Sequence, residues 1–371
     1  FSYTPPTGFV ALNTYNLPTS TIVKGNTVMD ATLWTGNGTS QTITNAAGFK
    51  PDLIWNKMRS GAYYNILTDS VRGTNSQLFS NDTLAQETRT DRITAINSNG
   101  FSVGSYADVN ANTQTFVGWQ WQAGQGSTSS NTNGTITSTV SVNASAGFSV
   151  VTYTGTNTGT PSPMPTVGHG LGVAPSLVIS KSRNLAGVDS GAWFVWTSAQ
   201  ATDNYLRLNT TAASASISGG GGGTMVAPTS SVFSTPYVSG SNINANNYVA
   251  YCWTPIAGFS AFGSYTGNGS SDGAFVYVGF KPRWVLIKRT DTAGFPWWLL
   301  DTARNTYNVA DIGLLANSSD SESSAGFPYS TLDFLSNGFK LRATAGGVNA
   351  SGGTYIYAAF ASNPFRNSLA Q

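Results

Sequence analysis

Charge is what this chain lacks most. Asp, Glu, Lys and Arg make up 9% of its 371 residues, against about 25% in an ordinary soluble domain. Net charge is only +2, with Lys and Arg scattered. No basic stripe exists to release counterions from a phosphate backbone, so nucleic acid is not an expected partner. There is one histidine, His169. That excludes a His-cluster metal site and leaves one candidate for a Ser–His–Asp arrangement. A strained nucleophile turn such as G-x-S-x-G is not expected in this chain, so His169 reads as a loop residue bonded to nearby backbone. There is one cysteine, Cys252, inside a strand pattern, where it reads as a small buried apolar residue. No intrachain disulfide is possible, and the chain is expected to fold in a reducing cytoplasm even if it ends up outside the cell. No apolar run reaches the roughly 18 residues that span a membrane, and no signal peptide is visible. Residue 1 is Phe, so the sequence is expected to begin at a processing site or partway through a longer protein. Helical periodicity is nearly absent as well; only 82–92 is expected to form a turn or two.

What is present is one message given three times. A glycine turn after an aromatic or apolar strand reads LWTGNG from Leu33, YTGTNTG from Tyr153 and YTGNG from Tyr265. A Pro-introduced apolar strand follows: GFKPDLIWNK ending at Lys57, GLGVAPSLVISK ending at Lys181, GFKPRWVLIK ending at Lys288. Each copy closes with an Asn-Ala turn and a long apolar strand: VNANTQTFVGWQW, INANNYVAYCW and VNASGGTYIYAAF. The turn glycines lie 119 residues apart from Gly36 to Gly155 and 112 from Gly155 to Gly267, which suits a β-sandwich of roughly 100 residues.

Hydrophobic content is 40% and aromatic content 12%, so each repeat can build a core. Short strands broken by Gly, Pro, Asn and Ser point to an all-β chain of three tandem antiparallel sandwich modules. The boundaries read as an extended arm or connector over 1–28, module 1 over 29–124, module 2 over 125–256 and module 3 over 257–371. Module 2 includes a connector, an extra strand TITSTVSVN, and the five glycines Gly219–Gly223 as a mobile loop. Alternation in the closing strands of modules 1 and 2 reads as half-buried. The closing strand of module 3 is apolar on both faces, through Tyr355 and Tyr357 on one and Ile356, Ala358 and Phe360 on the other. Its outer face is expected to need cover from another module or another chain.

No paired clustering of the sixteen acidic residues marks a glycosidase dyad, although two carboxylates can converge from distant positions. One charged pattern recurs: Asp69-x-x-Arg72 in module 1 and Asp301-x-x-Arg304 in module 3, with WTSAQ in its place in module 2. These pairs read as structural clips on a turn after a strand, the alternative being a ligand grip. Trp297 and Trp298 follow a Gly-Phe-Pro turn. Adjacent strand residues point to opposite faces, so one ring is expected in the core and the other exposed. Trp298, with Trp297 and Tyr329 of the Ser-rich 317–330 loop, forms the candidate glycan-stacking set. Trp34, Trp55, Trp119, Trp121 and Trp253 read as core. N-x-S/T sequons such as those at Asn37 and Asn209 are expected by chance in so Asn-, Ser- and Thr-rich a chain. Neither a metal nor a cofactor is expected.

The repeated motifs resemble a virion module of tail fibre and structural proteins of marine and cyanobacterial tailed phages. The likeness is carried by YTGNG, GFKPRWVLIKRTDT, LDTARNTYN, LSNGFKL and VNASGGTYIYAAFASNPF in module 3. In module 1 it lies in GFKPDLIWNK, TDSVRG, SNGFSVG and FVGWQWQAG, and in module 2 in TSTVSVNASAGFSVVTYTG, VGHGLGVAP and NYVAYCW. The opening FSYTPPTGFVALNTYNLP is similar to the segment that follows a SPRY-like sandwich in such proteins. The resemblance implies a non-enzymatic virion protein, a tail fibre or receptor-binding protein that recognises host surface glycan. It also implies a homotrimer, partnered by other virion proteins, assembled in the bacterial cytoplasm and carried on the extracellular particle. A tailspike-like depolymerase and a capsid-surface decoration protein are the alternatives.

Overall fold

The computed structural model describes residues 20–159, 163–187, 191–221, 223–238, 240–322 and 331–364. Most of the 1–28 arm, one of the five glycines, Tyr329 and the end of the chain lie outside them. The described chain is all-β and its sheets are antiparallel. Among the described residues the only α-helix is Ala107–Asn110. The 82–92 stretch is not helical; 82–86 carry no regular structure and lead into the short strand Glu87–Thr88. Within the five-glycine segment, Ser218–Gly220 form a 3-10 turn closed by left-handed Gly221.

Each repeat builds the same large sheet. An opening strand (Met29–Thr35, Phe148–Thr154, Ser260–Thr266) pairs with the closing strand (Thr115–Trp121, Asn247–Trp253, Thr354–Pro364). The closing strand pairs in turn with the Pro-led strand (Leu53–Met58, Leu177–Ser182, Phe280–Arg289). Two further strands continue outward, Ile66–Asp69 and Ser76–Phe79 in module 1, with equivalents in the other two. The closing strand, last in sequence, is therefore central in space. A small sheet covers one face: Gln41–Thr44 with Gly100–Val103 and Ile93–Asn97 in module 1, Thr166–Gly168 with Val232–Ser234 in module 2, and Phe275–Tyr277 with Gly338–Leu341 and Leu332–Leu335 in module 3.

The motifs seen in sequence pack on one another. Gly36, Gly155 and Gly267 each lie so close to a backbone carbonyl, of Ala111, Ile243 and Ala350, that an added Cβ would sit 2.1–2.3 Å from its oxygen. Only glycine permits that approach. In module 2 the matching asparagine is Asn242, not Asn244: Asn110, Asn242 and Asn349 each accept from the glycine-turn backbone, at Asn37, Thr156 and Asn268.

The closing strands correct two expectations. In modules 1 and 2 they are buried on both faces, not half-buried. Phe116, Tyr248 and Tyr355 pack inward, within their own sandwiches. The opposite faces, Val117–Trp119–Trp121, Val249–Tyr251–Trp253 and Ile356–Ala358–Phe360, join one core shared by all three modules. The modules are thus not three separate units in a row. Trp121, Trp253 and Phe360, at matched ends of their strands, meet in a triangle with ring centroids 6.0, 5.6 and 6.5 Å apart. Such edge-to-face contacts add to the large apolar area that each ring buries. The outer face of the module 3 strand is covered by the chain itself.

One junction, used three times, closes this arrangement into a ring. In module 2, the Trp193 indole N–H donates to Phe79 O of module 1 at 2.7 Å. In module 3, the Trp297 indole donates to Arg207 O of module 2 at 3.0 Å. In module 1, the matched residue Asn65 donates through Nδ2 to Leu315 O of module 3 at 2.8 Å. A backbone bond repeats beside each: Gln86 N to Arg183 O, Ser214 N to Thr290 O, and Glu322 N to Arg59 O.

Candidate functional site

Three buried lysines mark these three junctions. Lys57, Lys181 and Lys288, the last residues of the repeated Pro-led motifs, are fully buried. Each Nζ reaches a carbonyl of the neighbouring module: Lys57 to Ser319 O at 2.8 Å, Lys181 to Thr83 O and Lys288 to Thr211 O at 3.5 Å. Burial pushes all three amines down to about 8. The acceptors occupy one repeated turn, Asn81-x-Thr83, Asn209-x-Thr211 and Asn317-x-Ser319. There each Asn Oδ1 accepts from its own module, from Asn65 N, Trp193 N and Trp297 N at 2.8–2.9 Å. The sequon at Asn209 is therefore not a chance pattern but one copy of a structural turn. At Asn37, Oδ1 accepts from Thr39 N and closes a local turn.

The Asp-x-x-Arg pairs lie at two of the junctions. Arg72 Nε meets Asp69 Oδ2 at 2.6 Å and Arg304 Nε meets Asp301 Oδ2 at 2.7 Å, with all four side chains inaccessible. The other carboxylate oxygen caps the following turn through the N–H groups of residues 71 and 72, or 303 and 304. A neighbouring module supplies one more donor: Tyr251 OH to Asp69 at 2.8 Å and Trp119 Nε1 to Asp301 at 3.0 Å. Burial alone would raise the Asp301 carboxyl, but Arg304 and these hydrogen bonds hold it below its usual value. Module 2 has Thr197 and Gln200 at these places. The residue of module 3 matched to Tyr251 and Trp119 is Ala358, which has no donor, and a small apolar cavity lined by Thr197, Trp297 and Ala358 fills the space. Module 2 lacks the pair where its neighbour lacks the donor. Both pairs are enclosed and fully bonded, and no ligand atom can reach them.

The glycan-stacking set does not assemble. Trp297 and Trp298 are both buried. The alternation argument holds, since the two rings point to opposite faces, but both faces of this strand are covered. Trp297 is spent on the junction to Arg207 O, and Trp298 packs beneath Gly347, whose added Cβ would lie 2.9 Å from its indole nitrogen. Neither ring offers a face to solvent. Tyr329 lies outside the described residues. His169 is also buried: Nδ1 accepts from Leu171 N and Nε2 donates to Thr229 O, both at 3.1 Å. Burial lowers its pKa. The G-x-S-x-G letters, expected to be absent, do occur as Gly269-Ser-Ser-Asp-Gly273, but they form a loop between strands with no helix following. Among the described residues no cluster of His, Cys, Asp and Glu has metal-binding geometry, and no helix is long and apolar enough to cross a membrane.

Solvent-facing aromatics occur elsewhere in module 3. On the small-sheet strand Phe275–Tyr277, Val276 points inward while Phe275 and Tyr277 point out, 47% and 61% exposed. The pairing Phe275↔Lys340 and Tyr277↔Gly338 sets them beside a flat glycine and a cation. Asp272, Lys340, Arg342 and Asp333 form ion pairs along this face, with Lys340–Asp272 and Arg342–Asp333 both at 2.6 Å. Across the modules the matched positions are Thr42 and Thr44, Thr166 and Gly168, and Phe275 and Tyr277. Tyr307 and Val309, also exposed, flank the far side of this sheet, where Asn308 bonds Phe334. Sequence reasoning missed the pair because FVY reads as an ordinary apolar strand. The available signal was two aromatic residues in module 3 where the matched positions of the other modules carry Thr or Gly.

No curated protein and no solved structure matches the chain. One family does, over residues 24–364, which takes in all three modules and the ring that they close. The protein therefore belongs to the family described as domain of unknown function DUF7483.

Proposed function

We propose that this protein is a non-catalytic structural protein of a tailed-phage virion, a tail fibre or receptor-binding protein that recognises host surface glycan through module 3. The phage assignment rests on the motif resemblance. The binding assignment rests on one observation: only module 3 replaces the outward small-sheet positions with two exposed rings, Phe275 and Tyr277. Aromatic faces stack on the C–H faces of sugars, and the neighbouring Gly338 leaves the approach unobstructed. A weak contact of this kind gains strength when several copies engage together. Assembly in the host cytoplasm and carriage on the virion follow from the same reading. The homotrimer belongs to the resemblance alone, because the apolar strand that asked for a partner is covered within the chain; light scattering tests it.

The depolymerase reading is less well supported at this face. A glycosidase needs one carboxyl kept protonated beside another that is ionised. Here Asp272 and Asp333 are both ion-paired, and the hydrogen bond from Lys340 holds Asp272 below its usual pKa.

The test is binding of the parent and a Phe275→Ala/Tyr277→Ala variant to an array of bacterial surface glycans. Retention by the parent, about tenfold weaker in the variant (about 1.4 kcal/mol), is expected. Equal retention by a folded variant removes the assignment, and release of reducing ends would turn the reading to hydrolysis. Electron microscopy of labelled virions separates tail from capsid.

A further inference from the structure

A second solvent-facing site lies at the junction between modules 1 and 3. An open hollow of about 590 Å³ is bounded there by Tyr63, Tyr64, Asn81 and Asp82 on one side and by Asn317–Ser319 on the other. That volume falls within the range of small-molecule sites. Its walls are held in place from beneath, because Lys57 Nζ donates to Tyr63 O and to Ser319 O, both at 2.8 Å. Asn81 and Asn317 are fixed as well: each Oδ1 accepts a backbone N–H at 2.8 Å, which orients each amide and leaves its Nδ2 as a donor. Asp82 is held by the N–H groups of Thr83 and Leu84 at Oδ1. Tyr63 is 40% exposed and supplies a ring face.

The hollow is a departure from the threefold pattern. The residue matched to Tyr63 in module 2 is Gly191, which packs against Thr83 O so closely that a Cβ would lie 1.9 Å away. In module 3 the matched turn is tied down by Gly294 N donating to Thr211 O at 2.9 Å. Only in module 1 do two tyrosines stand at these positions.

We propose that this hollow binds a neutral, hydroxyl-rich ligand, a single sugar unit, between Tyr63 and the Asn81 and Asn317 amides. The class follows from the lining: fixed amide donors, serine hydroxyls and one carboxylate as acceptors, and an aromatic face, without the basic side chains that an anion would need. The choice of ligand rests on the carbohydrate reading above; the site itself is independent of Phe275 and Tyr277.

The experiment is saturation-transfer NMR of the full chain with glucose, galactose and N-acetylglucosamine at millimolar concentration. The parent is expected to give transfer to at least one sugar. Tyr63→Ala and Ala62→Trp, which respectively remove the ring and fill the hollow from an exposed position, should weaken it at least tenfold. The Phe275→Ala/Tyr277→Ala variant should retain it. Dispersed indole N–H resonances verify that each variant is folded. Transfer that survives both hollow variants, or no transfer to any of the three sugars, overturns the site. Loss of transfer only in the Phe275/Tyr277 variant overturns it while leaving the module 3 reading standing.

Discussion

Trp297 donates its indole N–H to the carbonyl oxygen of Arg207, 3.0 Å away and 90 residues earlier in the chain. The relationship is repeated by Trp193 with Phe79 and, through an amide, by Asn65 with Leu315. A residue that reads in sequence as a surface platform is thus a fastener between modules. Replacing Trp297 with Phe keeps most of the packing and removes the donor. The expected loss is about 1–3 kcal/mol, read by chemical denaturation, with Trp193→Phe falling in the same range. A change below a few tenths would mean that the hydrogen bond adds nothing to the packing that Phe retains.

The aromatic triangle of Trp121, Trp253 and Phe360 joins the three modules in one core. Phe360→Ala should cost about 3–5 kcal/mol. The loss should appear equally in probes placed in module 1 and in module 3, as one cooperative transition. Separate transitions, with module 1 untouched, would show that the shared core does not couple the modules.

Arg304 is enclosed against Asp301 with no solvent contact. Arg304→Leu leaves the carboxylate buried with only the Trp119 and backbone donors, and should cost about 3–5 kcal/mol. Without Arg304, burial is expected to dominate and raise the Asp301 pKa. The deficit should therefore narrow as pH falls and the carboxyl protonates. Stability of parent and variant measured across the acid range checks both the size and the sign. A deficit independent of pH would point to lost packing alone.

Lys57, Lys181 and Lys288 are each lowered to about 8 by burial. Between about pH 8 and 10 the unfolded chain holds more protons on these amines than the native one, so their contribution makes stability rise with pH across that window. The cost of burying them charged is present in full below about pH 8. Nitrogen-detected NMR of the three amines should show titration well below free lysine; midpoints at the free value would mean that the carbonyl acceptors outweigh desolvation. Lys57→Met should reduce the slope.

Much of the architecture was legible because a repeated pattern is its own control. The glycine turn, the Pro-led strand ending in lysine and the long closing strand recur in fixed order. Period-two alternation and turn residues identify strands without knowledge of their partners. The sequence also marked Asp69, Arg72, Asp301 and Arg304, since charged residues are conspicuous in so uncharged a chain. Their shared role at the module junctions depended on Tyr251 and Trp119, which are 182 residues from the carboxylates that they meet.

Alternation within a strand says which residues share a face, but not what covers that face. The sequence by itself determined that Trp297 and Trp298 point opposite ways, that Val117, Trp119 and Trp121 share a side, and that Phe275 and Tyr277 flank Val276. Only the tertiary structure decided that the first pair is buried on both sides, that the second set meets its counterparts at a common axis, and that the third faces solvent. Those outcomes depend on contacts between residues far apart in the chain, 90 positions for Trp297 and Arg207, which no local period encodes.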